Sequence, residues 1–461
     1  MKEKIKLTAN ILFSGIGCQE RGIENSDLFD LDVLNTSDIN KDSVLAYAAV
    51  HCGLTNELVD TYENYPSREE MAQYLTDINL GYIPEKNKHF DWFKLIKKKT
   101  KDLEKYWLAC KLSNNLGDIS RIKELPYADF WTVSFPCTDV SISGKMKGLN
   151  PNSGTRSSLL WDNIRLLRKS KENGTLPKYI MFENVKNLVG KKFIQDFNNL
   201  LDVLNEIGFN SYWSVINSKD CGVPQNRERV FVISIRKNID KNQFEFPKPF
   251  DIGIRLKDIL EDVAGEKYYL SEEATVKFRY KETNKDIKQV GWLQQSENST
   301  EHQSNIVYSA DGHARVLTAC DYKDQLKIMV KQVGQIYGTE KEPNPQAGRI
   351  YDENGLAPTL DSCSGGNRMP KILENNERIQ IRKLTPRECW KLMGLTFEDC
   401  DKAKNIGVAD TNLYKQAGNG IVTNCVKLLA EHLYKSQYDD TYVCTDERMV
   451  LTENFMNPPT N

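Results

Sequence analysis

Across the first 235 residues, short apolar runs alternate with stretches of helical period, and few architectures accept that rhythm. The runs are Ala9 to Phe13, Asp32 to Leu34, Asp129 to Phe135, Tyr179 to Phe182 and Val230 to Ile235. Between them, Leu159 to Leu167 and Phe193 to Ile207 carry apolar residues at helical spacing, with Phe197, Leu200, Leu201 and Leu204 on one face. The expected fold is α/β: a doubly wound, Rossmann-like sheet with helices on both faces. Ligands of such sheets gather beyond the carboxyl ends of the strands.

The 461 residues leave room for two or three domains. With 39% hydrophobic and 27% charged residues, the chain has the balance of an ordinary globular protein. A net charge of −2 neither excludes nor announces nucleic acid, because a basic face can sit inside a balanced total. No apolar run approaches the ~18 residues of a membrane span. The first apolar stretch is broken by Thr8, Asn10 and Ser14 and lacks a cleavage site, so a cytoplasmic protein is expected. Eleven cysteines without a CxxC pair, beside five histidines, indicate free thiols and no metal site.

Residues 56–115 interrupt the alternation and look like an insertion. Lys86 to Lys111 holds nine lysines against Asp91, Asp102 and Glu104, while Leu103, Trp107 and Leu112 lie near one side of a helix. A solvated helix face is the expected role; a phosphate-contacting surface is the alternative. From about Asp240 the chain becomes more polar and punctuated by Gly and Pro. Tyr308, Gly312, Ala314, Leu317 and Cys320 repeat at a spacing of 43 as Tyr351, Gly355, Ala357, Leu360 and Cys363. Two copies of a strand–turn–strand unit predict a small, mostly β domain. Helical pattern returns in Arg387 to Gly394 and Thr423 to Leu433. The expected division is 1–240, 241–395 and a C-terminal segment, 396–461, that returns to the first domain.

Chemistry is sought at the strand ends. The first run leads into Phe13-Ser14-Gly15-Ile16-Gly17, a turn that lets backbone approach a ligand. The second ends at Asp38-Ile39, where an acid suits ribose hydroxyls or, equally, caps the helix starting near Asn40. The third delivers Pro136-Cys137 and the fourth Glu183-Asn184-Val185. A thiol and a carboxyl group at neighbouring strand ends point to covalent catalysis with proton transfer. Ser141 to Gly148, with glycines around Lys145 and Lys147, reads as a mobile lid or a plain surface loop. Gln225-Asn226-Arg227-Glu228-Arg229 precedes the last run; its arginines are either solvated or guanidinium donors to a base or phosphate.

Taken in order, these segments resemble the DNA cytosine-5 methyltransferases. Phe13 to Gly17, Asp38-Ile39 and Asp118-Ile119 are similar to the family's cofactor contacts, and Phe135-Pro136-Cys137 to its nucleophile motif. Glu183-Asn184-Val185, Gln225 to Arg229, Arg382 to Gly394 and Gln416-Ala417-Gly418-Asn419 match further motifs. Thr138 stands where the family commonly has Gln, and Gly420 where it usually has Ser. The resemblance implies a class I methyltransferase sheet with a smaller, mostly β target-recognition domain. It also implies S-adenosylmethionine as cofactor and transfer of its methyl group to C5 of a flipped-out cytosine in specific DNA sequences. Cys137, Glu183, Arg227 and Arg229 are then the catalytic set; Phe13, Ser14, Gly15, Gly17, Asp38, Ile39, Asp118, Ile119 and Asn419 hold the cofactor. Double-stranded DNA is the implied partner of a monomer, a cognate restriction endonuclease stays open, and no membrane is involved. A tRNA cytosine-5 methyltransferase, an inactive DNA-binding relative and, on fold alone, a nicotinamide oxidoreductase are the competing readings.

Overall fold

A computed structural model describes residues 4–137, 140, 156–269 and 378–445, with 278–280, 289–293, 306–317, 319 and 325–332 between them. Its centre is a sheet of β1 (Ile5–Leu12), β2 (Phe29–Ser37), β3 (Phe130–Val133), β4 (Tyr179–Val185), β5 (Phe209–Asn217) and β7 (Glu228–Arg236). The two-residue β6 (Gln225–Asn226) lies outside it, and the spatial order is β2-β1-β3-β4-β7-β5. From β2 to β4 all neighbours are parallel, whereas β7 runs against both β4 and β5. The chain crosses over between β2 and β3, so the sheet's switch point lies beside the end of β1.

Both faces of the sheet are covered, which is why its central strands read as unbroken apolar runs. Every residue of β3 is buried. One face packs Trp131, Val133, Ile180, Phe182 and Val232 against α6 (Leu160–Glu172) and α7 (Ile194–Ile207). The other packs Phe130, Met181, Phe231 and Ile233 against α1 (Cys18–Glu24), α2 (Lys41–His51) and the helix Thr423–Tyr438. Helix α1 meets that last helix at Gly22, where a Cβ would lie 2.4 Å from Val426 Cβ. Only glycine allows so close an approach.

Residues 56–115 stand outside the sheet but are firmly attached to it. They form α3 (Asn56–Thr61), α4 (Arg68–Asp77) and α5 (Asp102–Leu112). Trp92, Leu103, Trp107 and Leu108 are buried in the same core as α2. Lys97, Lys98, Lys99 and Lys101 are exposed, in keeping with a solvated surface.

A second sheet follows, in the order β13-β12-β10-β9-β8. Its strands are β8 (Phe278–Tyr280), β9 (Gln289–Leu293), β10 (Ile306–Ser309), β12 (Lys327–Gln332) and β13 (Arg378–Lys383). The short β11 (Ala314–Arg315) pairs instead with β6 and ties this region to the α/β domain. The first copy of the sequence repeat spans β10 and β11 as far as Leu317. Cys320, the second copy, Ser141 to Gly148, and Thr138 lie outside the described residues.

Past β13 the chain packs into the same core as α2, with Leu384, Cys389, Trp390 and Leu392 buried there. A buried ion pair seals this junction: Arg382 donates to both carboxylate oxygens of Glu388, at 2.8 and 2.6 Å. The same carboxylate accepts the amides of Thr385 (2.8 Å) and Glu261 (2.9 Å). Thr385 and Glu388 form a capping box with Pro386 at the first helical turn, so the Leu-Thr-Pro-Arg-Glu stretch is a helix start. No helix among the described residues is long and apolar enough to cross a membrane.

Candidate active site

At the end of β1 the backbone turns sharply. Phe13 adopts φ +56°, a conformation uncommon for a bulky residue, and Ser14 donates its amide to the Ser37 carbonyl at the end of β2 (3.1 Å). Gly15 has φ +55°, and a Cβ there would meet nothing within 4 Å, so this backbone faces open space. Asp38 accepts the Gly15 amide at 2.9 Å and the Asn40 amide at 2.7 Å. The N-cap of α2 is Asn40 itself, whose side chain takes the amides of Asp42 and Ser43, so Asp38 is not that helix's cap. Ile39 holds the Gly81 amide through its carbonyl (2.7 Å). Asp118 caps a short helical turn through the Ser120 amide (3.0 Å), and Ile119 beside it is buried.

Cys137 lies four residues past β3 on a turn pinned at several carbonyls. Asn184 donates to the Phe135 carbonyl (3.0 Å), Ser157 to that of Pro136 (2.7 Å) and Asn187 to that of Val140 (2.6 Å). Gln19 reaches across from α1 to the Ser134 hydroxyl at 3.0 Å. Within Glu183-Asn184-Val185, the asparagine thus holds the thiol's turn while the glutamate stays available. Alternation along β4 puts Glu183 and Val185 on one face, and Arg229 pairs opposite Val185. Because β7 is reversed, its first residues lie at the same edge as the carboxyl ends of β3 and β4. That is why the arginine motif precedes its strand while the other motifs follow theirs. Arg229 Nε lies 3.2 Å from Glu183 Oε1.

Electrostatics couple the group. Burial pushes the Cys137 thiol up from its ordinary pKa and the Glu183 carboxylate adds to it, while Arg229 and Arg227 oppose the rise. Burial also raises Glu183, partly countered by the same two arginines. Both groups are therefore held toward their protonated forms.

The family described as C-5 cytosine-specific DNA methylase matches residues 67–435. The chain belongs to this family. It is a DNA (cytosine-5-)-methyltransferase. A type II methyltransferase of Lactococcus lactis subsp. cremoris, M2.ScrFI, is 34% identical over 430 residues, covering 92% of this chain and 98% of the relative. The orphan methyltransferase M.SssI of Spiroplasma monobiae is 31% identical over 334 residues, 70% of this chain and 82% of that one. Among solved structures, the Entamoeba histolytica methyltransferase EhMeth shares the fold, with a TM-score of 0.51 over 94% of this chain and 98% of that one, at 14% identity.

Within this methylase, Arg227 is placed unlike Arg229. It is buried, and its guanidinium donates to the carbonyls of Leu317 (2.9 Å), Gly418 (3.0 Å) and Gly420 (2.7 Å). Desolvation lowers its pKa to about 9. It works as a strut joining the arginine motif, the segment after β11 and the Gln416 to Asn419 motif. Asn419 is exposed between the two glycines it fixes, and Gly420 abuts the Cys18 thiol at the start of α1. Gln225 makes a parallel bridge, donating to the Leu392 carbonyl (3.0 Å) and accepting the Leu317 amide (3.2 Å). Glu20, Glu24 and His51 bring three ligand atoms within 4.8 Å of one another below the β1 turn. Tyr47 already donates to Glu20, and Arg21 to Glu24.

Proposed function

We propose that this methylase acts on a cytosine flipped out of duplex DNA, with Cys137, Glu183 and Arg229 touching the base and S-adenosylmethionine as methyl donor. The observation that carries the reading is the meeting of these three side chains at one sheet edge, beside the switch point where the Phe13 to Gly17 turn opens. C5 of cytosine is a poor nucleophile. Bonding of the Cys137 sulfur to C6 moves the C5=C6 electron pair into the ring and makes C5 nucleophilic. The thiol gives its proton to solvent water during this attack, because burial and Glu183 disfavour a standing thiolate. Glu183, held toward its protonated form, donates to N3 and accepts from the exocyclic amine, stabilising charge as it develops. Arg229 donates to O2. When bound, S-adenosylmethionine supplies the methyl group to C5. Loss of the C5 proton then restores the double bond and expels Cys137. A stacked duplex hides C6, so the base must leave the helix.

The donor site fits this chain's residues. Gly15 presents backbone to open space, and two acids, Asp38 and Asp118, stand at neighbouring turns. Phe13, Ser14, Gly17, Ile39, Ile119 and Asn419 complete the pocket in this reading. Arg227 is a positioning residue. The second sheet, within 241–395, serves as the target-recognition domain, reading base edges in the major groove; residues 1–240 with the C-terminal helices carry catalysis. The enzyme works as a monomer, and relatives of both type II and orphan naming make a partner endonuclease optional.

The test is base-resolution methylation sequencing in a host without cytosine methylation, expressing either this protein or Cys137→Ala. A recurrent 5-methylcytosine motif with the first and none with the second is expected. Methylation that survives Cys137→Ala sinks the covalent route. DNA left unmodified by folded wild-type protein, with tRNA methylated instead, reverses the substrate.

A further inference from the structure

The 56–115 segment contributes no residue to the motifs above, yet it ends on both acids of the donor pocket. Asn115, 1% exposed, accepts the Asp38 amide at 2.9 Å and donates to the Asp38 carbonyl at 3.0 Å. Its neighbours extend this into a short parallel bridge along β2: Thr36 donates to the Asn114 carbonyl and Leu116 to that of Thr36. The Asp38 peptide is therefore gripped on both sides, and its carboxylate is aimed back at Gly15.

A second asparagine does the same for the second acid. Asn79, 5% exposed at φ +58°, donates to Asp118 Oδ2 at 2.7 Å. Its own carbonyl oxygen takes a hydrogen bond from His89 Nδ1 (2.8 Å), and His89 stacks on Tyr82 at 4.6 Å. Since the Asn79 amide faces a carboxylate, its oxygen must face a donor, which fixes the proton on Nδ1 of His89. Two backbone contacts close the seam: Asp118 donates to the Ile78 carbonyl (3.0 Å) and Gly81 to that of Ile39 (2.7 Å). At Gly117, φ +73°, a Cβ would come 2.0 Å from the Ile78 oxygen.

We infer that residues 56–115 form the outer wall of the methyl-donor pocket, with Asn115 and Asn79 as positioning residues that fix Asp38 and Asp118 for adenosine. This rests on the donor site assigned above. Two buried amides from one segment, each set against a different pocket acid, are more than the packing of α4 and α5 requires.

The test compares wild type with Asn115→Ala, Asn79→Gly and Asn79→Asp. Glycine and aspartate both tolerate the left-handed backbone at position 79. S-adenosylmethionine affinity is measured by calorimetry, with KM for donor and DNA, kcat and melting temperature. Donor affinity is expected to fall about tenfold in the first two variants, as each pocket acid loses the amide that holds it in place. Values of kcat at saturating donor and of KM for DNA stay within twofold. Asn79→Asp sets a second carboxyl group against Asp118, and its loss of donor affinity exceeds that of Asn79→Gly at neutral pH through like-charge repulsion. Unchanged donor affinity overturns the inference, and so does an equal loss in kcat and both KM values, which marks general scaffolding. If Asn115→Ala does not fold, the two substitutions at Asn79 decide. Wild-type protein that binds no donor, or Asp38→Ala that binds as well as wild type, breaks the underlying pocket reading instead.

Discussion

Two of the Arg–Glu pairs among the described residues are built to opposite ends. At the junction, Arg382 and Glu388 are 3% and 0% exposed at the side chain, joined by two short bonds, with two amides on the same carboxylate. At the sheet edge, Arg229 and Glu183 share one contact of 3.2 Å and keep 17% and 10% exposure. The first pair is saturated and can only hold. The second leaves hydrogen-bonding capacity unused and a carboxyl group pushed toward protonation, which is what the proposed base-binding role needs. Completeness of bonding, more than burial, separates the two acids.

Truncating one partner of the saturated pair is the severest way to probe that contrast. Glu388→Ala strands the Arg382 charge and should cost about 3–5 kcal/mol in urea unfolding; a loss under 1 kcal/mol would make the two pairs equivalent. At the open pair the expected effect moves from stability to rate. Glu183→Gln should lower kcat by roughly 10²–10³ in single-turnover assays while the melting temperature does not fall. A clear drop in melting temperature would show that Glu183 is also holding the fold.

A third buried acid lies between these cases. Glu20, 8% exposed below the β1 turn, accepts from Tyr47 but lacks a bidentate arginine, and burial raises its pKa to about 7. The folded pKa exceeds the unfolded one, so its contribution to stability is complete below about pH 4.5 and is lost as pH rises to about 7. Glu20→Gln should therefore flatten the stability profile across that window, by roughly 2 kcal/mol between its ends. His51 has an opposing slope: burial lowers its pKa to about 4, so its share is lost as pH falls from about 6.5. An unchanged profile in Glu20→Gln would mean that folding does not raise the pKa of this acid.

Much of this was legible in the sequence because buried strands write themselves as apolar runs. Four of the five runs lead into the turns of the candidate site, and Phe197, Leu200, Leu201 and Leu204 do share the buried face of α7. Strand β5 escaped notice: Phe-Asn-Ser-Tyr-Trp-Ser-Val-Ile-Asn is an edge strand with only Phe209, Tyr212 and Ile216 buried. The reversal of β7 was equally silent, since direction leaves no trace in composition. The family resemblance grouped Arg227 with Arg229; the three carbonyls around Arg227 set it apart. Asn79, Asn115, Gln19 and Ser157 carried no signal, because an isolated polar residue has no period and its partner lies in another segment.

Helix Thr423–Tyr438 closes one face of the sheet against α1, the first helix of the chain. During synthesis, every strand of that sheet is made before its cover exists. Closing the core therefore requires contacts between residues about 400 apart in sequence, a loop that forms slowly and late. Until then Leu7, Phe130, Met181 and Ile233 face solvent or a chaperone. A ribosome-bound fragment that ends after β7 accordingly carries every strand of the six-stranded sheet before it has a finished interior.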